Sequence, residues 1–237
     1  MIIYMWSGPR NLSTALMRSF ENRSDTEVLD EPFYSFYLRN TGLKHPMYNK
    51  IIDTYPNDIK EILNKITKLP KNNKIYYQKH MTHHLIDVNN LDWLKNGKSC
   101  FLIRHPGKVI NSYIKKNEIL DIRDIGFKKQ FEIFEIVKSK YDFNPIVINS
   151  DYILKNPKEI IRKLCERLNI KFSNKMLNWP KGPRNSDGIW GVIWYEQVNK
   201  STTFNKYSDS NTVVPSKYQN IYKESLKIYN NMNKYSL

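Results

Sequence analysis

The sequence predicts an α/β fold with a largely parallel central sheet. Short apolar runs alternate with longer amphipathic stretches, the order expected when helices cover both faces of such a sheet. Charged or titratable groups also recur just beyond the apolar runs, and in parallel sheets ligands bind beyond the carboxyl ends of the strands. At 237 residues the chain can bury a full core, and it reads as one domain over residues 1–237.

The first strand is Ile2-Ile3-Tyr4-Met5, and the first helix runs from Ser13 to Asn22. Between them, Ser7-Gly8-Pro9-Arg10-Asn11-Leu12 forms a tight polar turn. A helix N-terminus after such a turn is an anion site, because its first amides lack intrahelical partners and the dipole is positive there. Arg10 adds a cation. The plainer alternative is a surface turn in which Ser13 or Thr14 only caps a helix.

Glu27-Val28-Leu29 is a second strand, stopped by Asp30-Glu31-Pro32. The stretch Phe36 to His45 fits no single period. Ile51 to Leu69 carries Ile59, Ile62, Leu63 and Ile66 at helical spacing and reads as one helix. A turn at Pro70-Lys71-Asn72-Asn73 leads to a third strand, Lys74 to Met81, opening onto His80, His83 and His84. Asn89 to Lys95 is a short helix stopped by Asn96-Gly97. Ser99 to Ile103 is the clearest buried strand and ends at Arg104-His105-Pro106-Gly107, where a helix begins. Phe127 to Tyr141 is a periodic helix, Pro145 to Ile148 a further strand, and Asn156-Pro157 starts another helix. Asp187 to Phe204 reads as a Gly-, Ser- and Thr-rich loop region, and Pro215 to Tyr235 as a closing amphipathic helix. Arg10, Glu31, His80 and Arg104 thus follow four different strands, a convergence that points to an active site.

Composition narrows the classes. No apolar run reaches membrane-span length, and the apolar N-terminal stretch is too short for a signal peptide. Cys100 and Cys165 stand far apart, so neither a disulfide framework nor a cysteine metal site is expected, and a reducing, cytoplasmic setting is the default. The net charge of +15 would attract polyanions, but the basic residues are dispersed rather than blocked. A small polyanionic ligand is therefore expected in preference to nucleic acid.

The first turn departs from the nucleotide loop G-x-x-x-x-G-K-[ST]: counting from Gly8, Ser13 replaces the second Gly and Thr14 the Lys. A triphosphate enzyme needs that Lys and a magnesium site, so a kinase-like transferase with a degenerate phosphate loop is the weaker reading. Pro9-Arg10-Asn11-Leu12-Ser13-Thr14 instead resembles the first signature of sulfotransferases that use 3′-phosphoadenosine 5′-phosphosulfate (PAPS), Pro-[Lys/Arg]-Ser-Gly-[Ser/Thr]-Thr. It departs at Asn11 and Leu12, where the family usually has Ser-Gly. Arg104 at a strand end, with Ser112 on the following helix, resembles the second signature, in which an Arg and a Ser bind the donor's 3′-phosphate. The Arg fork suits phosphate oxygens. Lys181-Gly182-Pro183-Arg184, followed by Asp187-Gly188-Ile189-Trp190, resembles the late basic loop that covers the nucleotide. With Leu29-Asp30-Glu31-Pro32-Phe33-Tyr34, the pattern looks most like bacterial sulfotransferase-like proteins.

The resemblance implies a three-layer sulfotransferase fold, akin to that of P-loop nucleoside triphosphate hydrolases. It implies PAPS as donor, a small-molecule acceptor with a hydroxyl or amine, and no required metal. Arg10 would steady the leaving phosphate, Pro9 to Thr14 the 5′-phosphate, and Arg104 and Ser112 the 3′-phosphate. The proton-accepting base is expected to be His80, then Glu31, then His83, since the run Lys79-His80-Met81-Thr82-His83 sits one residue off the family's Lys-Thr-His. His80, His83 and His84 have no matched carboxylate or Cys spacing that would make a metal site. A non-catalytic nucleotide-binding homologue and a basic RNA-associated protein complete the alternatives.

Overall fold

The computed structural model describes residues 1–70, 74–86, 90–209 and 212–237. Five strands form one sheet: β1 (Ile2–Ser7), β2 (Thr26–Asp30), β3 (Ile75–Met81), β4 (Lys98–Ile103) and β5 (Ile146–Asn149). Their order is β2-β3-β1-β4-β5, and every pairing is parallel. The predicted α/β architecture is observed.

Strand β1 explains why the sheet is buried on both sides. Ile3 and Met5 project into one core with Leu16, Phe20, Leu164 and Ile148. Ile2, Tyr4 and Trp6 project into the other with Ile62, Phe101, Phe134 and Met232. Alternate residues of a strand point to opposite faces, so a strand covered on both faces must be apolar throughout.

Helix α1 (Ser13–Glu21) packs on the first face together with α8 (Pro157–Arg167), whose Ile160, Ile161 and Leu164 line that core. Helices α4 (Ile59–Ile66), α6 (Phe127–Lys140) and α11 (Gln219–Asn233) cover the second. Between β4 and α6 lie α5 (Pro106–Tyr113) and a short 3-10 turn, Ile122–Ile125.

Several boundaries differ from the sequence reading. The helix expected over Ile51 to Leu69 is two, α3 (Tyr48–Thr54) and α4. Pro56 divides them, holding Tyr55 extended at φ −114°, ψ 148°. Asp58 then caps α4 by accepting from the amides of Lys60 and Glu61. The ambiguous stretch holds α2 (Tyr34–Thr41), closed by Gly42 at φ 70°. The segment expected as a helix from Asn89 is a 3-10 helix over Asp92–Asn96, and Asn89 itself lies outside the described residues. Of the turn expected at 70–73, residues 71–73 also lie outside them.

A helix not foreseen, α7 (Ser150–Lys155), follows β5 directly and is capped by Asn149. The loop region after Asp187 holds two single-turn helices, α9 (Gly191–Trp194) and α10 (Glu196–Asn199). The closing helix begins only at Gln219, after a 3-10 turn over Ser216–Tyr218. No helix among the described residues is long and apolar enough to cross a membrane.

The strand order places a crevice above the centre of the sheet. From β1 the chain leaves toward β2 on one side, and from the adjacent β4 it leaves toward β5 on the other. Ligands of open parallel sheets sit where neighbouring connections diverge in this way.

Candidate active site

The loop after β1 is held by its neighbours rather than by its own turn hydrogen bonds. Arg10 and Leu12 both take left-handed backbone, at φ 63° and φ 72°. Asn11 is buried and donates to Leu102 O at 3.4 Å, while Ser150 Oγ lies 2.7 Å from Asn11 O and 2.9 Å from Ile103 O. Gly8 allows close approach, since a Cβ there would lie 2.5 Å from Ile125 O. Leu12 is the N-cap of α1 and its side chain caps nothing, so the first amides of α1 are not satisfied by that residue.

This folding brings the first two sequence motifs together. Arg104 donates from Nη1 to Arg10 O at 2.9 Å, and Arg10 donates from Nε to Ser112 Oγ at 2.9 Å. Pro9 to Thr14, Arg104 and Ser112 all line one cavity of about 470 Å³. Arg104 Nε is buried and has no hydrogen-bond partner among the described residues. Burial works against both guanidinium charges; at Arg104, Asp151 partly offsets this and Arg10 adds to it. Two adjacent cations, an orphaned N–H and a helix start make a site for an anion with more than one charged group.

The third sequence motif does not reach the cavity. Lys181 is exposed, and Gly182, at φ 109°, donates its amide to Asn199 O. Arg184 turns away to Pro180 O at 2.5 Å and lies 3.6 Å from Glu21 Oε2. The cavity is covered instead by the segment after α10, through Ser201, Thr203, Asn205, Lys206 and Ser208. Tyr207 anchors that segment between two ammonium groups, Lys108 at 4.5 Å and Lys155 at 4.6 Å from its ring centre. Composition did not distinguish one late polar, lysine-bearing loop from the other.

At the far end of the cavity, β2 and β3 pair Asp30 opposite Lys79. Lys79 and Met81 reach the cavity, so His80, of opposite parity on the strand, faces the other core. The His80 ring stacks on Trp6 at 4.5 Å and borders Phe33 and Trp93, and Nε2 lies 3.1 Å from Gln78 Oε1. His80 is fully buried, and burial pushes its pKa down to about 3. The leading candidate base from sequence is thus a core residue in an aromatic box.

Glu31 does reach the cavity, at φ 40°, immediately after β2. Its Oε1 lies 2.6 Å from Lys79 Nζ and 3.2 Å from Tyr195 OH, and its Oε2 lies 3.8 Å from His84 Nδ1. Burial pushes the Glu31 carboxyl above the ordinary carboxylate range, against the pull of Lys79 and helped by Asp30. His83 and His84 also line the cavity, their rings 4.4 Å apart, with His84 stacked on Tyr34 at 4.7 Å. Burial lowers both, His83 to about 3, so neither is an effective base near neutral pH. Trp194 and Tyr34 form ring-bearing parts of the wall, and Lys79 and Tyr195 join the polar end, a cluster the motif reading did not assemble. No group of three or more His, Cys, Asp or Glu among the described residues is arranged to hold a metal.

Comparison with known proteins bears on the family and the fold. The family model described as "Sulfotransferase domain" matches residues 1–236. The Arabidopsis thaliana protein named branched-chain-amino-acid aminotransferase-like protein 2 is 31% identical over 229 residues, covering 97% of this chain. The chain spans 41% of that protein's length, so the relative's name describes a longer polypeptide. The sulfotransferase domain of the Synechococcus PCC 7002 olefin synthase superposes with a TM-score of 0.64 at 16% identity, covering 97% of this chain and 94% of that one. A mouse sulfotransferase complexed with PAP superposes with a TM-score of 0.57 at 13% identity, covering 100% and 89%. At such identities these two likenesses concern the fold.

Proposed function

The chain belongs to the sulfotransferase-domain family, and from that premise we propose that it moves a sulfuryl group from PAPS to a hydroxyl or amine of a small acceptor. The observation that carries this reading is the orphaned Nε of Arg104, buried on the cavity wall beside Arg10 and the start of α1. A buried guanidinium N–H left without a partner is costly, and a phosphate oxygen is the acceptor its planar fork fits best.

The residues divide the donor between them. The opening amides of α1, with Ser13 and Thr14, face the 5′-phosphate, while Arg104 and Ser112 take the 3′-phosphate. Arg10 sits between these groups, joined to Ser112 and to Arg104, and faces the oxygen that bridges sulfur and the 5′-phosphate. In the reaction the acceptor oxygen or nitrogen bonds to sulfur, and the bond from sulfur to that bridging oxygen breaks. Adenosine 3′,5′-bisphosphate leaves with the electron pair, and its growing negative charge is met by Arg10. Positioning and charge neutralisation supply most of the acceleration, as in phosphoryl transfer.

Glu31 takes the acceptor proton. Its carboxylate is the titratable group on the cavity whose pKa is raised toward neutrality, where a general base is most effective. Turnover therefore rises with pH as Glu31 ionises, over a range above that of an ordinary carboxylate. The test is transfer of radiolabelled sulfuryl from PAPS to an acceptor panel by the wild type, Arg10→Ala and Arg104→Ala. Arg10→Ala abolishes turnover, whereas Arg104→Ala chiefly raises KM for the donor. Full activity in both variants would overturn the assignment.

A further inference from the structure

We propose that Tyr195 is a positioning residue, which acts through Lys79 and Asp30 to hold one oxygen of Glu31 and leave the other for the acceptor. The inference rests on the reading of Glu31 as the base.

The hydrogen bonds around Lys79 close on themselves. An ammonium has three donors and no acceptor. Those of Lys79 go to Asp30 Oδ1 at 2.9 Å, Glu31 Oε1 at 2.6 Å and Tyr195 OH at 2.5 Å. The Tyr195 hydroxyl accepts from Lys79 and from Trp190 Nε1, at 3.1 Å; the nearest acceptor for its single proton is Asp30 Oδ2, at 2.7 Å, ahead of Asp30 Oδ1 at 2.9 Å and Glu31 Oε1 at 3.2 Å. Asp30 Oδ2 also accepts the amide of Gly188 at 3.1 Å. Lys79 and Asp30 are each 1% exposed at the side chain, so little water competes for these bonds.

The closed set has a direction. With Asp30 and Tyr195 taking two ammonium protons, the third can only point at Glu31 Oε1. Oε2 is left on the side of His84 and accepts no hydrogen bond among the described residues. Among the described residues, Asp30 on β2, Lys79 on β3, Tyr34 on α2, His84 just after β3 and Tyr195 between α9 and α10 are the titratable groups that face Glu31. Of the positive groups among them, Lys79 is the one in hydrogen-bond contact. The aim of its ammonium therefore sets both the position of Glu31 and its affinity for a proton.

Tyr195 comes from the segment that walls the cavity, which connects assembly of the wall to assembly of the base. Arg18, buried on α1, holds Asp187 at 2.6 Å. Gly188 then passes so close to the Trp190 ring that a Cβ would lie 2.1 Å from it. Trp190 and the hydroxyl of Tyr195 follow in place.

Tyr195→Phe removes one hydroxyl and keeps the ring. Lys79 then loses an acceptor and Asp30 a donor, so the ammonium is drawn toward Asp30 and away from Glu31. The Glu31 carboxylate is less stabilised, and the acidic limb of the kcat/KM profile moves up by about one pH unit. At a fixed pH on that acidic limb kcat falls by up to about tenfold, while KM for PAPS is unchanged. A structural role alone would lower stability without moving the limb. An activity-independent readout is infrared titration of the protonated carboxyl band that disappears in Glu31→Gln. That band is expected to titrate higher in Tyr195→Phe than in the wild type. An unmoved band and an unmoved limb would overturn the proposal. Full turnover by Glu31→Gln would remove the base reading on which it rests, a result the infrared titration keeps separate.

Discussion

Leu12 is where this chain departs most visibly from the glycine its first loop is expected to carry, and its conformation makes a quantitative prediction. It stands at φ 72°, ψ 9°, as the N-cap of α1, with its side chain half-buried against the core. A left-handed conformation costs a non-glycine residue roughly 1–2 kcal/mol. Leu12→Gly removes that strain. It gives up about 0.75–1.5 kcal/mol of packing, taking half the value of a fully buried Leu, and about 0.5–1 kcal/mol of chain entropy. The net loss is about 0.5 kcal/mol. Leu12→Ala keeps the strain and loses most of the packing, for a net loss of about 1 kcal/mol. Glycine is thus expected to be the more stable of the two by about 0.5 kcal/mol, whereas within a helix alanine is favoured by about 1 kcal/mol. Urea unfolding of both variants measures the difference. Leu12→Gly is also expected to bind adenosine 3′,5′-bisphosphate as the wild type does, since the amides of Ser13 and Thr14 stay in place. Alanine more stable than glycine by about 1 kcal/mol would mean that Leu12 carries no left-handed strain.

Arg18 is 1% exposed and paired with Asp187, itself 7% exposed, so Arg18→Met strands a buried carboxylate and should cost about 3–5 kcal/mol in urea unfolding. Adding Asp187→Asn should recover much of that loss, and a single variant as stable as the wild type would contradict the pairing's role. His80→Phe should leave kcat within about threefold, with a modest loss of stability from the unpaired Gln78 oxygen; a fall of about a hundredfold or more at constant fold would restore His80 as the base. Lys206→Ala should weaken bisphosphate binding by several-fold while Arg184→Ala leaves it unchanged, and calorimetry giving the reverse order would mean that the late basic motif covers the nucleotide after all.

The sequence was most legible where structure is local. Strands β1 and β4 stand out because burial on both faces makes them continuously apolar, and Arg10, Arg104 and Ser112 are readable because each sits at a strand end or on the helix that follows. Strand parity separates two neighbours at the end of β3. His80 and Lys79 are neighbours, but alternation sends Lys79 to the cavity and His80 into an aromatic core, and only the pairing partners of β3 reveal which face is which. Pro56 was a visible break that helical spacing on both sides concealed. The contacts of Tyr195 were out of reach for a different reason: 116 positions separate it from Lys79, and no spacing rule connects them. The loop that lines the cavity was hard to pick out because Lys181 and Lys206 occur in similarly polar stretches, and tertiary packing of Tyr207 on Lys108 and Lys155 brings the second one there.

The paired arginines after β1 and β4 are proposed to bind a nucleotide with phosphates at both the 3′ and 5′ positions. Titration calorimetry with adenosine 3′,5′-bisphosphate, in chelator and beside ATP, tests it most directly. Tight binding of the bisphosphate, lost or severely weakened in Arg104→Ala, and no binding of ATP are expected. Binding of ATP alone, restored by magnesium, would contradict this and favour a kinase-like transferase.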